Sequence, residues 1–210
     1  MYIELIDLLR CPNPHEDSWL VAAFHKMDAR FIIDGKLGCP VCSASYPINA
    51  GIANLRAPVA HQDNEMIDSY AAADAEDDPM RVAAMLGLER AGSVAVLFAM
   101  SADICNAVAE LAHARVISLN PVVAPMEEKE NVATVLCDSR LPLGPATVDG
   151  MMLGGACSSA GIGEALRVLK TGGRLVVSAG TILSGGLRQL AQDERYVVAE
   201  STGPLLSLSR

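Results

Sequence analysis

Short apolar runs punctuate the second half of the chain, at residues 93–98, 115–119, 132–137, 148–153 and 174–178. Each suits a strand buried on both faces, where apolar side chains follow one another without alternation. Between the runs the apolar positions switch to helical spacing, over 102–113 and again over 158–170, where Ile162, Ala165, Leu166 and Leu169 share a face. Thr171-Gly172-Gly173 reads as a helix stop and tight turn. Strand, helix and strand across 148–178 make a right-handed βαβ unit of a parallel sheet. A further helix is expected over 183–192. A terminal antiparallel pair is expected at 195–200 and 205–209, around Thr202-Gly203-Pro204. Alternating strands and helices predict an α/β fold with a doubly wound, mostly parallel sheet. In such sheets ligands sit beyond the carboxyl ends of the strands, at the switch point.

The first 57 residues follow a different rhythm. Residues 2–9 form a short amphipathic helix with Ile3, Ile6, Leu8 and Leu9 apolar. Strands are expected at 19–24, 31–33 and 46–48, with Asp34-Gly35 as a turn. This is a small α+β module. Residues 58–92 connect it to the α/β domain of 93–210. The connection starts with a linker at 58–61 and carries two predicted helices, 63–75 and 80–90. Asp78-Pro79 caps the second and Gly92 closes it. His61 and Tyr70 read as surface residues.

Charge narrows the function classes. The net charge is −9 and aromatic residues are 4% of the chain. That argues against unaided nucleic-acid binding, which needs cations to displace counterions and rings to stack bases. The acidic excess is greatest in the connecting segment, where a solvated surface is the simpler reading. No signal peptide is visible and no apolar run approaches the ~20 residues that span a bilayer. The six cysteines then imply a reducing compartment, with cytoplasmic as the default.

Cys39-x-x-Cys42 is half of a zinc knuckle. Zinc wants four thiolate or imidazole ligands, and two cysteines at this spacing can share one metal. Pro14 stands where a matching second cysteine would follow Cys11, so His15 is the nearest further donor. The candidate metal set is therefore Cys11, His15, Cys39 and Cys42. The alternative is a module that folds without metal. A module this small buries little core, which favours keeping a staple.

The runs Leu8-Leu9-Arg10-Cys11-Pro12, Gly35-Lys36-Leu37-Gly38-Cys39-Pro40-Val41-Cys42 and Tyr46-Pro47-Ile48-Asn49-Ala50-Gly51-Ile52 resemble the small zinc-ribbon proteins that activate tRNA and translation-factor methyltransferases. The resemblance covers residues 1–57. It departs at Pro14 and at Ala53, where that family has cysteine and proline.

Farther on, Glu164-Ala165-Leu166-Arg167-Val168-Leu169-Lys170-Thr171-Gly172-Gly173-Arg174-Leu175-Val176-Val177, Cys137-Asp138-Ser139-Arg140-Leu141-Pro142-Leu143 and Val148-Asp149-Gly150 resemble the class I S-adenosylmethionine-dependent methyltransferases. This resemblance spans about residues 80–210. A zinc ribbon ahead of such a domain is also similar to certain rRNA guanine methyltransferases. The resemblance implies a cofactor site at Phe98, Met100, Asn120 and Asp138. Yet the glycine-rich turn expected after the first strand reads Phe98-Ala99-Met100-Ser101-Ala102-Asp103-Ile104. Met100, Ala102 and Ile104 stand at the glycine positions, and Phe98 at the acidic one. Glycine there lets the backbone approach the cofactor. Asn120 replaces the carboxylate that would take the ribose hydroxyls, and Asp138 alone is kept, at the adenine-proximal position. Either the pocket is modified or it is filled by Phe98 and Met100. The filled pocket is the reading adopted, which argues against S-adenosylmethionine.

No catalytic set replaces it. Cys157 stands near a predicted helix start, but no histidine is placed beside it, so it reads as a small packing residue. Cys105 and Cys137 read as core, His113 as exposed, and Asp103 as complementing a helix dipole. Gly161 and Gly163 make the start of their helix loose. The chain thus reads as a methyltransferase-like, non-catalytic protein acting through a protein partner or as a homo-oligomer. The alternative is an active methyltransferase with an atypical pocket. A different small ligand at the same strand ends is a weaker third.

Overall fold

The structure, a computed structural model, describes residues 1–56, 67–69, 77–122, 130–138, 140–183 and 185–203. His61, Tyr70 and the expected 205–209 strand lie outside the described residues.

A 3-10 helix, Ile3–Leu8, opens the chain and buries Leu5. Strands β1 (Val21–Asp28), β2 (Phe31–Gly38), β3 (Ser45–Asn49) and β4 (Ile52–Asn54) follow as an antiparallel meander. The β1–β2 turn falls at Ala29-Arg30, not at Asp34-Gly35. Those two residues lie inside β2, opposite a bulge around Phe24 and Lys26. The glycine serves a close strand crossing: a Cβ on Gly35 would sit 2.7 Å from the Ala23 carbonyl oxygen. Asp34 meanwhile accepts a hydrogen bond from the Ala50 N–H across the β3–β4 turn.

Within the connection, β5 (Ile67–Ser69) pairs with a two-residue strand, β10 (Ala156–Cys157). This triplet contradicts the helix expected over 63–75; the rest of that helix lies outside the described residues. Helix α1 (Pro79–Leu86) starts as read, with the Asp78 carboxylate accepting from the Met80 N–H. It stops at Gly87, whose φ of 67° forms a left-handed cap, five residues before Gly92.

The α/β core follows the apolar runs: β6 (Val94–Phe98), α2 (Ala102–Ala112), β7 (Arg115–Leu119), β8 (Val132–Leu136), β9 (Val148–Leu153), α3 (Ser159–Val168) and β11 (Leu169–Ser178). Ser101 and Ser158 cap α2 and α3 through their hydroxyls. The glycines at 172–173 do not turn the chain between helix and strand. They lie inside β11, at an irregularity in its pairing with β9. Strand β12 (Leu187–Gln192) replaces the helix expected over 183–192. It forms a hairpin with β13 (Tyr196–Ser201), and the Asp193 carboxylate accepts from the Arg195 and Tyr196 N–H groups at the turn. Edge pairing overrides the weak helical preference of Leu187-Arg188-Gln189-Leu190.

Eleven strands form one sheet in the order β1-β2-β3-β4-β8-β7-β6-β9-β11-β13-β12. The central strands from β4 to β11 run parallel, and β13 is antiparallel to β11. The N-terminal meander joins through β4, with Ala53 opposite Val135. Alternate residues feed two cores. Val96, Phe98, Met151 and Val177 face α3 and the 3-10 helix. Ala95, Leu97, Met152 and Val176 face α1 and α2. No helix among the described residues is long and apolar enough to cross a membrane.

Candidate functional site at the strand ends and candidate metal centre

The first strand of the α/β core, β6, lies between the second, β7, and the fourth, β9. The chain reverses its direction of winding there, so the crevice at the carboxyl ends of β6 and β9 is where such a fold offers a ligand site. Phe98 ends β6 and is fully buried on the α3 face; Met100 is buried on the α1–α2 face. Ala99 between them adopts a φ of 56°. Across the crevice, Gly154 follows β9, and its N–H donates to the Phe98 carbonyl at 2.9 Å. A Cβ on Gly154 would meet the Ala99 oxygen at 2.9 Å, and the Met100 sulfur and Phe98 oxygen at 3.0 Å. Gly154 therefore continues the β6–β9 ladder one residue past the Phe98–Leu153 pair, with the Met100 sulfur packed against it.

Asn120 lies just past β7, 4% exposed and in the left-handed region with a φ of 45°. Its Nδ2 donates to the Cys137 carbonyl at 2.9 Å, while its Oδ1 accepts from the Cys137 N–H at 3.0 Å. That Oδ1 also accepts from the Arg56 guanidinium at 3.1 Å. The amide thus clasps the ends of β7 and β8 and has no acceptor position left for ribose hydroxyls. Cys137 is fully buried, and burial pushes its thiol up to about 12. Asp138 follows it, half-buried at the same edge. Cys157 is half-buried in β10, its thiol directed to the Ser158 carbonyl.

The second cluster lies in the meander. The ligand atoms of Cys11, His15, Cys39 and Cys42 all fall within 4.8 Å of one another. The Cys11 and Cys42 sulfurs are 3.7 Å apart, and Cys39 Sγ is 3.4 Å from His15 Nε2. Tetrahedral zinc with arms of about 2.3 Å to sulfur and 2.0 Å to nitrogen requires edges of about 3.8 Å and 3.5 Å. The donor set and its spacing therefore fit zinc. His15 Nδ1 lies 2.6 Å from the Glu16 carbonyl oxygen, to which it donates, leaving Nε2 directed at the cluster.

The knuckle itself is closed by Ser43 N–H to Cys39 O and Cys39 N–H to Ala44 O, with Ser43 at a φ of 59°. Its backbone supplies thiolate stabilisation. The Ala44 N–H and the Asn13 side-chain amide pull Cys42 down to about 6. Burial opposes the same effect at Cys39, but the Cys42 and Val41 amides outweigh it and leave its thiol below the ordinary value. Cys11 is raised by burial, against a hydrogen bond with Tyr46. His15 is raised chiefly by its bond to Glu16.

The four expected metal donors converge. Of the four expected cofactor-site residues, Phe98 and Met100 enter the two cores while Asn120 and Asp138 share the β7–β8 edge. Arg56 and Gly154 were missed. Arg56 is 64 residues from Asn120, and nothing local signals their contact. Gly154 did carry a signal: glycine immediately after a buried strand marks a close approach of backbone.

No family model and no curated protein matches this sequence. Among solved structures, one similar fold is geranyl diphosphate C-methyltransferase from Streptomyces coelicolor A3(2), at 18% identity and a TM-score of 0.37 over 53% of this chain. Another is 1,6-didemethyltoxoflavin-N1-methyltransferase from Burkholderia thailandensis, at 23% identity and a TM-score of 0.40 over 63% of this chain. The chain spans 52% and 65% of those two proteins.

Proposed function

We propose that this chain is a methyltransferase-like protein whose strand-end site does not take S-adenosylmethionine, and that it acts through protein contacts with zinc as a structural staple. The observation that carries the first part is the burial of Phe98 and Met100 at the end of β6, with the Met100 sulfur against Gly154. A nucleoside cofactor in a doubly wound sheet needs bare backbone on the first strand's turn. Here a thioether occupies that turn and the bare backbone stands on the neighbouring strand. The Asn120 amide supports the same reading, since its groups are spent on Cys137 and Arg56.

Support for protein contacts comes from the outer edge of the sheet. Among the described residues, β1 is an edge strand that pairs only with β2. Val21 and Phe24 of β1 are 62% and 48% exposed, and Trp19, two residues before the strand, is 61% exposed with the Arg10 guanidinium stacked on its ring. Exposed apolar groups along an edge strand favour pairing with another chain. Zinc at Cys11, His15, Cys39 and Cys42 would hold the adjoining loops in place and supply no reaction chemistry, because four protein donors leave no open position.

Calorimetric titration with S-adenosylmethionine tests the reading. No heat of binding is expected at millimolar cofactor, and micromolar affinity would overturn it.

A further inference from the structure

The metal cluster and the strand-end edge lie in different parts of the chain, yet one residue touches both. Asn13 sits in the loop between two metal donors. Its side-chain amide donates to the Cys42 sulfur at 3.3 Å. Its backbone carbonyl accepts from Arg140 Nη1 at 3.2 Å. Arg140 belongs to the segment after β8, two residues beyond Asp138, and its second nitrogen lies 4.0 Å from Asp17 in the same metal-side loop. From Arg140 the chain passes to Leu141, whose N–H donates to Glu164 Oε2 at 2.9 Å. Glu164 is held in turn by two bonds from Arg167. Hydrogen bonds therefore run from the Cys42 sulfur through Asn13 to Arg140, and one peptide bond further on Leu141 is tied to Glu164.

The base of the segment is fixed differently. Arg10 N–H donates to the Pro142 oxygen, and Gly144 N–H to the Leu8 oxygen. These backbone bonds involve residues ahead of the first metal donor, so they do not need the ligand loop to be ordered.

We propose that Asn13 and Arg140 form a relay by which metal binding at Cys11, His15, Cys39 and Cys42 orders the segment after β8. The inference rests on the zinc reading above. With zinc bound, the loop from Cys11 to Asp17 is pinned at both ends of His15, and the Asn13 carbonyl is presented to Arg140. Without it, the loop keeps only its own backbone bonds, His15 N–H to the Asn13 carbonyl and Cys11 N–H to the Ser18 carbonyl, and Arg140 faces a less firmly held acceptor. The strand-end edge then depends on the metal, and Arg140 is a positioning residue.

The test compares full-length protein loaded with zinc against the same protein stripped by a chelator. Zinc content is measured by mass spectrometry on both samples, and amide exchange at Leu141 and Gly144 by NMR. Zinc is expected to slow exchange at Leu141 by at least about tenfold, the scale of one charge-assisted bond, with Gly144 changing far less. R140A is expected to bind the same zinc but to show less than about twofold protection at Leu141. If the stripped protein unfolds, the loaded samples decide: Leu141 should exchange several-fold faster in loaded R140A than in loaded wild type. Equal zinc with no protection at Leu141, or R140A behaving as wild type, overturns the relay and leaves the zinc reading standing. Absence of bound zinc overturns both.

Discussion

Removing the Asn120 side chain should be among the more damaging single changes in this protein. Asn120→Ala deletes three hydrogen bonds at a site that is 4% exposed. The Arg56 bond counts for little, because that guanidinium reaches water. The other two matter, because they satisfy the N–H and carbonyl of Cys137, a residue that is itself buried. Leaving a buried polar group unpaired costs about 1–3 kcal/mol, so the two together cost about 2–6 kcal/mol. Alanine also pays about 1 kcal/mol for the left-handed backbone at φ 45°, which asparagine tolerates. Asn120→Gly loses the same hydrogen bonds without that backbone cost, so it should be less destabilised than Asn120→Ala by about 1 kcal/mol. Guanidinium unfolding of the three proteins measures both quantities. A thermal scan should show N120A melting lower by roughly 2–4 °C for each kcal/mol lost. Asn120→Asp adds a functional arm. It sets a carboxylate oxygen against the Cys137 carbonyl, and on the proposed reading cofactor titration should remain silent because Met100 still occupies the turn after β6. An N120A variant within about 1 kcal/mol of wild type would refute the clasp. Cofactor binding by N120D would refute the argument from Met100.

Two further outcomes follow from the electrostatics. In metal-free protein at pH 7, iodoacetamide should label Cys42 first, since its thiol is exposed and lowered to about 6, while Cys105 at about 11 and Cys137 at about 12 stay unlabelled. Peptide mass spectrometry reads the order, and early labelling of Cys137 would show that the β7–β8 edge opens readily. Glu164 titrates below its ordinary value of 4.5, burial being outweighed by its hydrogen bonds and ion pair with Arg167. Its native value is the depressed one, so its stabilisation is complete above about pH 4.5 and fades as pH falls through the native value. Glu164→Gln should therefore lower stability at pH 7 by about 1–2 kcal/mol and flatten the loss between pH 5 and 3, both read by urea titration.

The parallel strands were legible because burial on both faces leaves unbroken apolar runs, and β7 and β9 fall where those runs do. The capping residues Asp78, Ser101 and Ser158 act through their own side chains within three residues, so they too can be read locally. Glycine was the main source of error. At Gly35 it permits a close strand crossing, and at residues 172–173 it lies at a pairing irregularity inside a strand; both look like turns in one dimension. Pairing across long separations was invisible: Ala53 meets Val135, and Ile67 meets Cys157, with no local mark of either. Of the candidate sites, the metal donors were readable from two turns rich in cysteine and proline. The Arg56–Asn120–Cys137 clasp was not, because its three members come from separate elements.

The strand ends tie these threads together. A doubly wound sheet needs one position at its switch point where backbone comes close to something else. In a nucleotide site that something is the ligand, and the glycine stands on the first strand's turn. Here Gly154 continues the β6–β9 ladder, and a side chain in its place would meet the carbonyls of Phe98 and Ala99 and the sulfur of Met100. At the neighbouring β7–β8 edge Asn120 bonds Cys137 and Arg56, and Asn13 links Arg140 to the Cys42 sulfur of the candidate metal cluster. On the reading proposed above, the buried Met100 and the Asn120 clasp brace this end of the sheet, and the exposed Val21 and Phe24 of β1 are where protein contacts would be made.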